Sequence, residues 1–249
     1  MLIKPFLAMI GSAQFALSGP HDCHVYAVRG PEGIVLIDSG SGLCEEEIAH
    51  NLSVDFPGVP VCAILLTHAH MDHSGGALGL RRRFRCPILA SNLTQPILEA
   101  ADEERSGLRR AREIGTYPSS LHMTPFELDS RFQDGEPIHV AGLQFTAIHV
   151  RGHSADSFCL WASLNGETLC FCGDVVFYGG ILGVINSHDS GMEGYRKDLP
   201  KLRGLSVDML LPGHGLFTLK KGQRHIDSAL STLNGGFLPP QIGQGAIIF

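Results

Sequence analysis

The sequence has little charge. Of its 249 residues 18% are Asp, Glu, Lys or Arg and 44% are hydrophobic, which excludes an intrinsically disordered chain. An excess of positive charge is also absent: Lys plus Arg number 19 and Asp plus Glu 25, a formal charge of −6, so no global field exists to hold a nucleic-acid backbone. Two local exceptions, Arg81 to Arg85 and Arg105 to Arg112, read as solvated helix faces. No apolar run approaches the roughly 18 residues that a membrane-spanning helix needs. Lys4-Pro5 interrupts the apolar stretch from Met1 to Ile10, so a secretory signal is not expected either. The seven cysteines are odd in number, scattered and without a C-x-x-C pair, which argues against a disulfide framework and against a zinc finger. They read as free thiols of a reducing compartment, and a cytoplasmic location is expected. No repeat with a period of about 20 to 50 residues is visible, which excludes a solenoid.

What is present is a layered α/β pattern with 30 glycines at its turns. Leu2 to Ile10, His24 to Val28 and Gly33 to Ile37 read as strands, Cys44 to Leu52 as a helix opened by Glu45, Glu46 and Glu47, and Val61 to Leu66 as a strand buried on both faces. Ala77 to Phe84 reads as a helix and Pro87 to Ala90 as a strand, which completes a βαβ unit. Thr94 to Ile114 has a helical pattern, and Leu93 to Asp129 as a whole reads as an inserted helical lid over a site. The second half repeats the theme, with strands at Pro137 to Val140, Leu143 to Val150, Ser157 to Ala162, Thr168 to Cys172 and Met209 to Leu211. Helices follow near Met192 to Leu202 and from Leu219 to Leu233. The simplest architecture is two sheets packed face to face with helices outside, formed by a single domain over residues 1–249.

Chemistry concentrates where the buried strand ends. Thr67-His68-Ala69-His70-Met71-Asp72-His73 puts His68, His70, Asp72 and His73 within six residues, just before Gly75-Gly76. Several imidazoles and a carboxylate crowded together repel on protonation or need partners when buried, so a core role suits them badly. As neutral imidazole and carboxylate they are ligands for zinc, iron or manganese. More donors follow at later strand ends: His153 in Arg151-Gly152-His153, Asp174 in Cys172-Gly173-Asp174 and His214 in Pro212-Gly213-His214, each beside a glycine that lets backbone approach a site. The remaining histidines, His21, His24, His50, His122, His139, His149 and His225, lack such a context and read as structural.

From Leu36-Ile37-Asp38-Ser39-Gly40 through His68–His73 to His153, Asp174 and His214, the sequence resembles the metallo-β-lactamase superfamily of metallohydrolases. The resemblance implies an αββα sandwich of two mixed β-sheets flanked by helices and a dinuclear centre at the sheet edges. It implies that His68, His70 and His153 hold one metal, Asp72, His73 and His214 the other, and that Asp174 bridges them. Asp38 is implied as the residue that orients the ligands, and Asp72, also close to the reacting water, as the group that moves a proton to the leaving group. Two divalent ions, zinc first with iron or manganese as alternatives, lower the pKa of a shared water and polarise a carbonyl.

Within the superfamily, β-lactamases place cysteine or no protein ligand at the position of Asp174, so antibiotic hydrolysis is not expected. Gly173 to Gly180 resembles the corresponding segment of glyoxalase II, but a basic residue that grips glutathione in that family is not found after the glycine pair. Acyl-homoserine lactonases share the seven ligands and place a tyrosine three positions after the bridging aspartate. Here that position is Phe177, with Tyr178 one further on, and a shift of one residue turns an extended side chain to the other face. Tyr178 reads equally as pocket lining and as a packed surface aromatic, Ile181 to Ile185 as hydrophobic wall or core strand, and His188 as a candidate contact for a polar substrate end. The expected activity is hydrolysis of a small-molecule thioester, ester or lactone. The alternatives are a phosphodiesterase, which would require a basic groove, and a mononuclear iron persulfide dioxygenase. The partners expected are a small-molecule substrate and, in a homodimer, a second copy of the chain, with no nucleic acid and no membrane.

Overall fold

The structure, a computed structural model, describes residues 1–187 and 189–242. They form two compact units, one of residues 1–132 with 139–143 and one of residues 133–138 with the chain from 144 onward. No helix among the described residues is long and apolar enough to cross a membrane.

The first unit is built on a seven-stranded sheet whose strands lie in chain order: β1 (Leu2–Lys4), β2 (Leu7–Gly11), β3 (Val25–Arg29), β4 (Ile34–Ile37), β5 (Val61–Leu65), β6 (Ile88–Ser91) and β7 (Ser130–Phe132). β1 to β4 run antiparallel, and β4 to β7 pair in parallel. Parallel pairing requires crossovers, supplied here by α1 (Glu45–Asp55) between β4 and β5 and by α2 (Met71–Ser74) and α3 (Ala77–Phe84) between β5 and β6. Ile48 and Leu52 of α1 and Leu80 of α3 are buried in one apolar cluster with Ala27, Leu36, Ile64 and Ile88 of the sheet. Because β4 and β5 are parallel neighbours, the residues that leave their C-terminal ends, Asp38 and Thr67, emerge side by side.

The stretch expected as one strand, Leu2 to Ile10, is two antiparallel strands. Pro5 and Phe6 turn the chain so that Lys4 pairs with Leu7, as proline's fixed φ favours in a tight turn. The helix expected over Thr94 to Ile114 is likewise divided, into α4 (Gln95–Ala100) and α5 (Leu108–Glu113). Ala101 takes a left-handed φ of 46°, and Asp102 Oδ1 accepts from the backbone N–H groups of Glu104 and Arg105, both at 3.1 Å. An aspartate that caps its own turn competes with the helical ladder.

The second unit carries a five-stranded sheet in the order β14-β11-β10-β9-β8, made from β8 (Pro137–Val140), β9 (Leu143–His149), β10 (Phe158–Leu164), β11 (Glu167–Gly173) and β14 (Met209–Pro212). β9, β10 and β11 form an antiparallel meander, and β14 joins β11 in parallel. β12 (Val176–Phe177) and β13 (Ile181–Leu182) make a small separate ladder. Leu199 and Leu202, in the turn after α6 (Met192–Asp198), and Ile226, Ala229 and Leu230 of α7 (Gln223–Asn234) share an apolar cluster with Cys170, Cys172 and Leu210. α7 starts later than Leu219 because Lys221 has a φ of 57° and Gly222 N is bound to Asp208 O at 2.8 Å. All seven cysteines are free thiols.

Candidate metal centre

In the first unit the ends of β4 and β5 build one hydrogen-bonded shell. Asp38 N–H donates to Leu65 O at 2.9 Å, and the carboxylate accepts from Thr67 N (2.8 Å) and from Thr67 Oγ1 (2.9 Å to Oδ2). Asp38 does this from a left-handed φ of 62°, a conformation that aspartate tolerates better than most residues. The one-turn helix α2 then brings His73 back over the strand ends, where Ser39 donates to His73 O through its N–H (2.8 Å) and its Oγ (2.7 Å). His73 Nδ1 lies 2.8 Å from Asp38 Oδ2. A carboxylate only accepts, so Nδ1 carries the proton and Nε2 the lone pair. The same argument passes one residue further: Thr67 Oγ1 spends its proton on Asp38, so it accepts from His68 Nδ1 at 3.0 Å. Nε2 is therefore the lone-pair nitrogen of His68 as well.

His68 and His73 are fully buried, His70 is nearly so, and the His68 ring centre stands 4.6 Å from that of His70 and 4.1 Å from that of His73. Three imidazoles this close favour the neutral form, since each added charge would face another with little water to screen it. Asp72 Oδ2 lies 3.5 Å from His73 Nε2. Cys23, near Asp38 and His73, is a different case: burial pushes its thiol up to about 12, so it stands there as a neutral thiol.

The second unit presents three more of the residues singled out by sequence. His153 follows β9, Asp174 follows β11, and His214 follows β14, whose end is tied to that of β11 by a 2.8 Å bond from Gly213 N to Gly173 O. His153 Nδ1 donates to Gly183 O at 2.6 Å, which again leaves Nε2 as the lone-pair nitrogen. Asp174 Oδ2 is 3.5 Å from His153 Nε2 and 3.5 Å from His214 Nε2.

Three supporting residues were not singled out by sequence. Thr67 is one. Tyr195, fully buried, accepts from Gly183 N at 3.1 Å and donates to Asp174 O at 3.4 Å, and its ring packs directly under Gly152. Gly183 itself sits so close to Asp174 that any side chain would strike the aspartate's carbonyl oxygen. The apolar stretch Ile181 to Ile185 therefore contributes a buried strand residue, Leu182, and the carbonyl that orients His153. Tyr178 is 40% exposed, with its ring centre 4.4 Å from that of His225. Phe177 is buried and paired with Ile181. His188 lies outside the described residues.

A lone-pair nitrogen and a carboxylate oxygen have no proton to share, yet two such pairs, His73 with Asp72 and His153 with Asp174, stand 3.5 Å apart, and His214 Nε2 keeps the same distance from Asp174. That is the spacing of two donors each about 2.1 Å from one tetrahedral cation. The donor set thus fits a divalent metal on chemistry and on distance.

The family model of the metallo-beta-lactamase superfamily matches residues 18–214. The chain belongs to this superfamily. Membership makes it a metal-dependent hydrolase, and the superfamily's fold accounts for the mixed sheets flanked by helices. An atrochrysone carboxyl ACP thioesterase of Aspergillus fumigatus is 30% identical over 182 residues, 73% of this chain and 47% of that protein, so the chain spans about half the length of that relative. An acyl-coenzyme A thioesterase of Bos taurus is 29% identical over 213 residues, covering 77% of this chain and 72% of its own. Among solved structures, a metallo-beta-lactamase of Cronobacter sakazakii superposes with a TM-score of 0.71 at 21% identity over 95% of both chains, a likeness of fold.

Proposed function

We propose that this superfamily member is a dinuclear metallohydrolase that cleaves an acyl thioester of a small carrier molecule, with related esters or lactones as further substrates. His68, His70 and His153 would hold one ion, Asp72, His73 and His214 the other, and Asp174 would be shared. When bound, two divalent ions, zinc by preference, would supply a hydroxide near neutral pH and polarise the acyl carbonyl. The observation that carries the reading is the set of nitrogen–oxygen pairs at 3.5 Å whose imidazoles have their other nitrogen, in His73 and His153, tied to an acceptor. The thioesterase names of the relatives support the bond cleaved.

The chain's own residues have separable tasks. Asp38 fixes the tautomers of His73 directly and of His68 through Thr67, and Gly183 fixes that of His153. Asp72, partly exposed and held at the start of α2, would accept the proton and return it to the leaving thiolate or alkoxide.

The test is metal content per chain on protein purified without added metal, joined to turnover of acyl thioesters, a lactone, a β-lactam and a phosphodiester. Two ions per chain with thioester or lactone turnover is the expected result. One iron with oxygen uptake and no hydrolysis would overturn it.

A further inference from the structure

The segment between β6 and β7 closes on the metal motif from within the first unit. Ser106 O accepts from Met71 N–H at 3.2 Å, and Gly107 lies beside the imidazole of His70, so that even a methyl group there would contact the ring. Ten residues on, the chain returns to the same motif. Tyr117, held by backbone bonds from Thr116 and Tyr117 to Ala111 O at the end of α5, packs its ring against His21 with centres 5.0 Å apart. His21 leads into Cys23, whose N–H reaches Asp72 O at 3.4 Å. Tyr117 thus packs on the stretch of chain that is tied through Cys23 to the Asp72 turn. Burial first and then the carboxylate of Asp72 push its phenol up, and His73 opposes them.

The residue is half-buried, and its hydroxyl forms no hydrogen bond among the described residues, although the hydroxyl of buried Tyr195 is bonded on both sides. A phenol held rigid by its ring, with a donor left to solvent beside candidate ligands, is equipped to meet something that enters from outside.

We propose that Tyr117 is a substrate-contacting catalytic residue whose O–H donates a hydrogen bond to the acyl carbonyl oxygen as negative charge builds on that atom. The proposal rests on the hydrolase reading above. It assigns to the 93–129 segment a direct part in the reaction. No proton is transferred: the phenol keeps its hydrogen and the stabilisation is electrostatic, of the kind that a single preorganised donor provides in acyl transfer.

Tyr117→Phe removes one oxygen and keeps the ring packing on His21. On zinc-loaded protein with a short-chain acyl thioester, kcat falls about a hundredfold and KM stays within about twofold, while metal per chain and Tm match wild type. An alkylphosphonate, which mimics the tetrahedral oxyanion, binds the variant at least about tenfold more weakly by calorimetry. Unchanged kcat and unchanged phosphonate affinity in the variant, with an active wild type, would overturn the role of Tyr117 and leave the hydrolase reading intact. A kcat loss that tracks lost metal or lowered Tm overturns it too, since the residue would then be structural. A zinc-loaded wild type that neither turns over any substrate of the panel nor binds phosphonate overturns both.

Discussion

Asp38 is the residue on which most of the first unit's ligand geometry depends. Its two oxygens accept from Thr67 and His73, and through Thr67 its influence extends to His68. Asp38→Asn keeps the shape but places an amide where an acceptor is needed, so that the His73 tautomer is no longer fixed. Metal affinity is expected to drop about 10- to 100-fold, read as metal retained per chain against a graded chelator, with Tm in excess metal little changed. A different residue carries the corresponding burden in the second unit. Gly152 has a φ of 134° and lies on the Tyr195 ring. Gly152→Ala adds both backbone strain and a collision, a loss of about 3 kcal/mol that thermal melts would register. The donors His68 to His73 were legible in the sequence because four of them crowd into one short window. Thr67, Gly183 and Tyr195 were not, because each acts through a hydrogen bond whose meaning depends on a partner placed by folding: Asp38 for Thr67, His153 for Gly183, Asp174 for Tyr195.

Among the elements, the strands of the buried sheets were the most legible. Val61–Leu65 and Met209–Pro212 lie within a residue of their expected ends, since continuous apolar runs bounded by turn residues leave few alternatives, and Pro137–Val140 keeps its expected ends with the polar His139 inside it. Short elements escaped. The single turn of α2 and the two-residue strands β12 and β13 are too brief to display a period, and β7 hides in a stretch of mixed polarity. The divided helix between Thr94 and Ile114 shows a local competitor, Asp102, winning over a helical pattern that had no strong cap. The segment is held by Arg112, which hydrogen-bonds Glu103, Leu121 O and His122. Arg112→Ala should leave Glu103 without its main partner and free the connection from Leu121 to Met123. Limited proteolysis is expected to cut between residues 101 and 123 about tenfold faster than in wild type, with the sheet of the first unit still protected.

At the scale of the whole molecule, the ledger of ligands links folding to metal. With ions present at about a thousandfold over their dissociation constant, bound metal adds about 4 kcal/mol to stability. For a chain of this length that is about 10 °C of Tm. Calorimetric scans before and after dialysis against chelator, followed by readdition of zinc, should show that drop and its reversal. The division of the chain into two units adds a consequence in time. Asp38, Thr67 and the four donors from His68 to His73, with every hydrogen bond described between them, fall within residues 1–132. A ribosome delivers those residues before His153, Asp174 and His214 exist. The proton positions on His68 and His73 can thus be settled in a nascent chain barely half made, before any donor of the second unit has been synthesised.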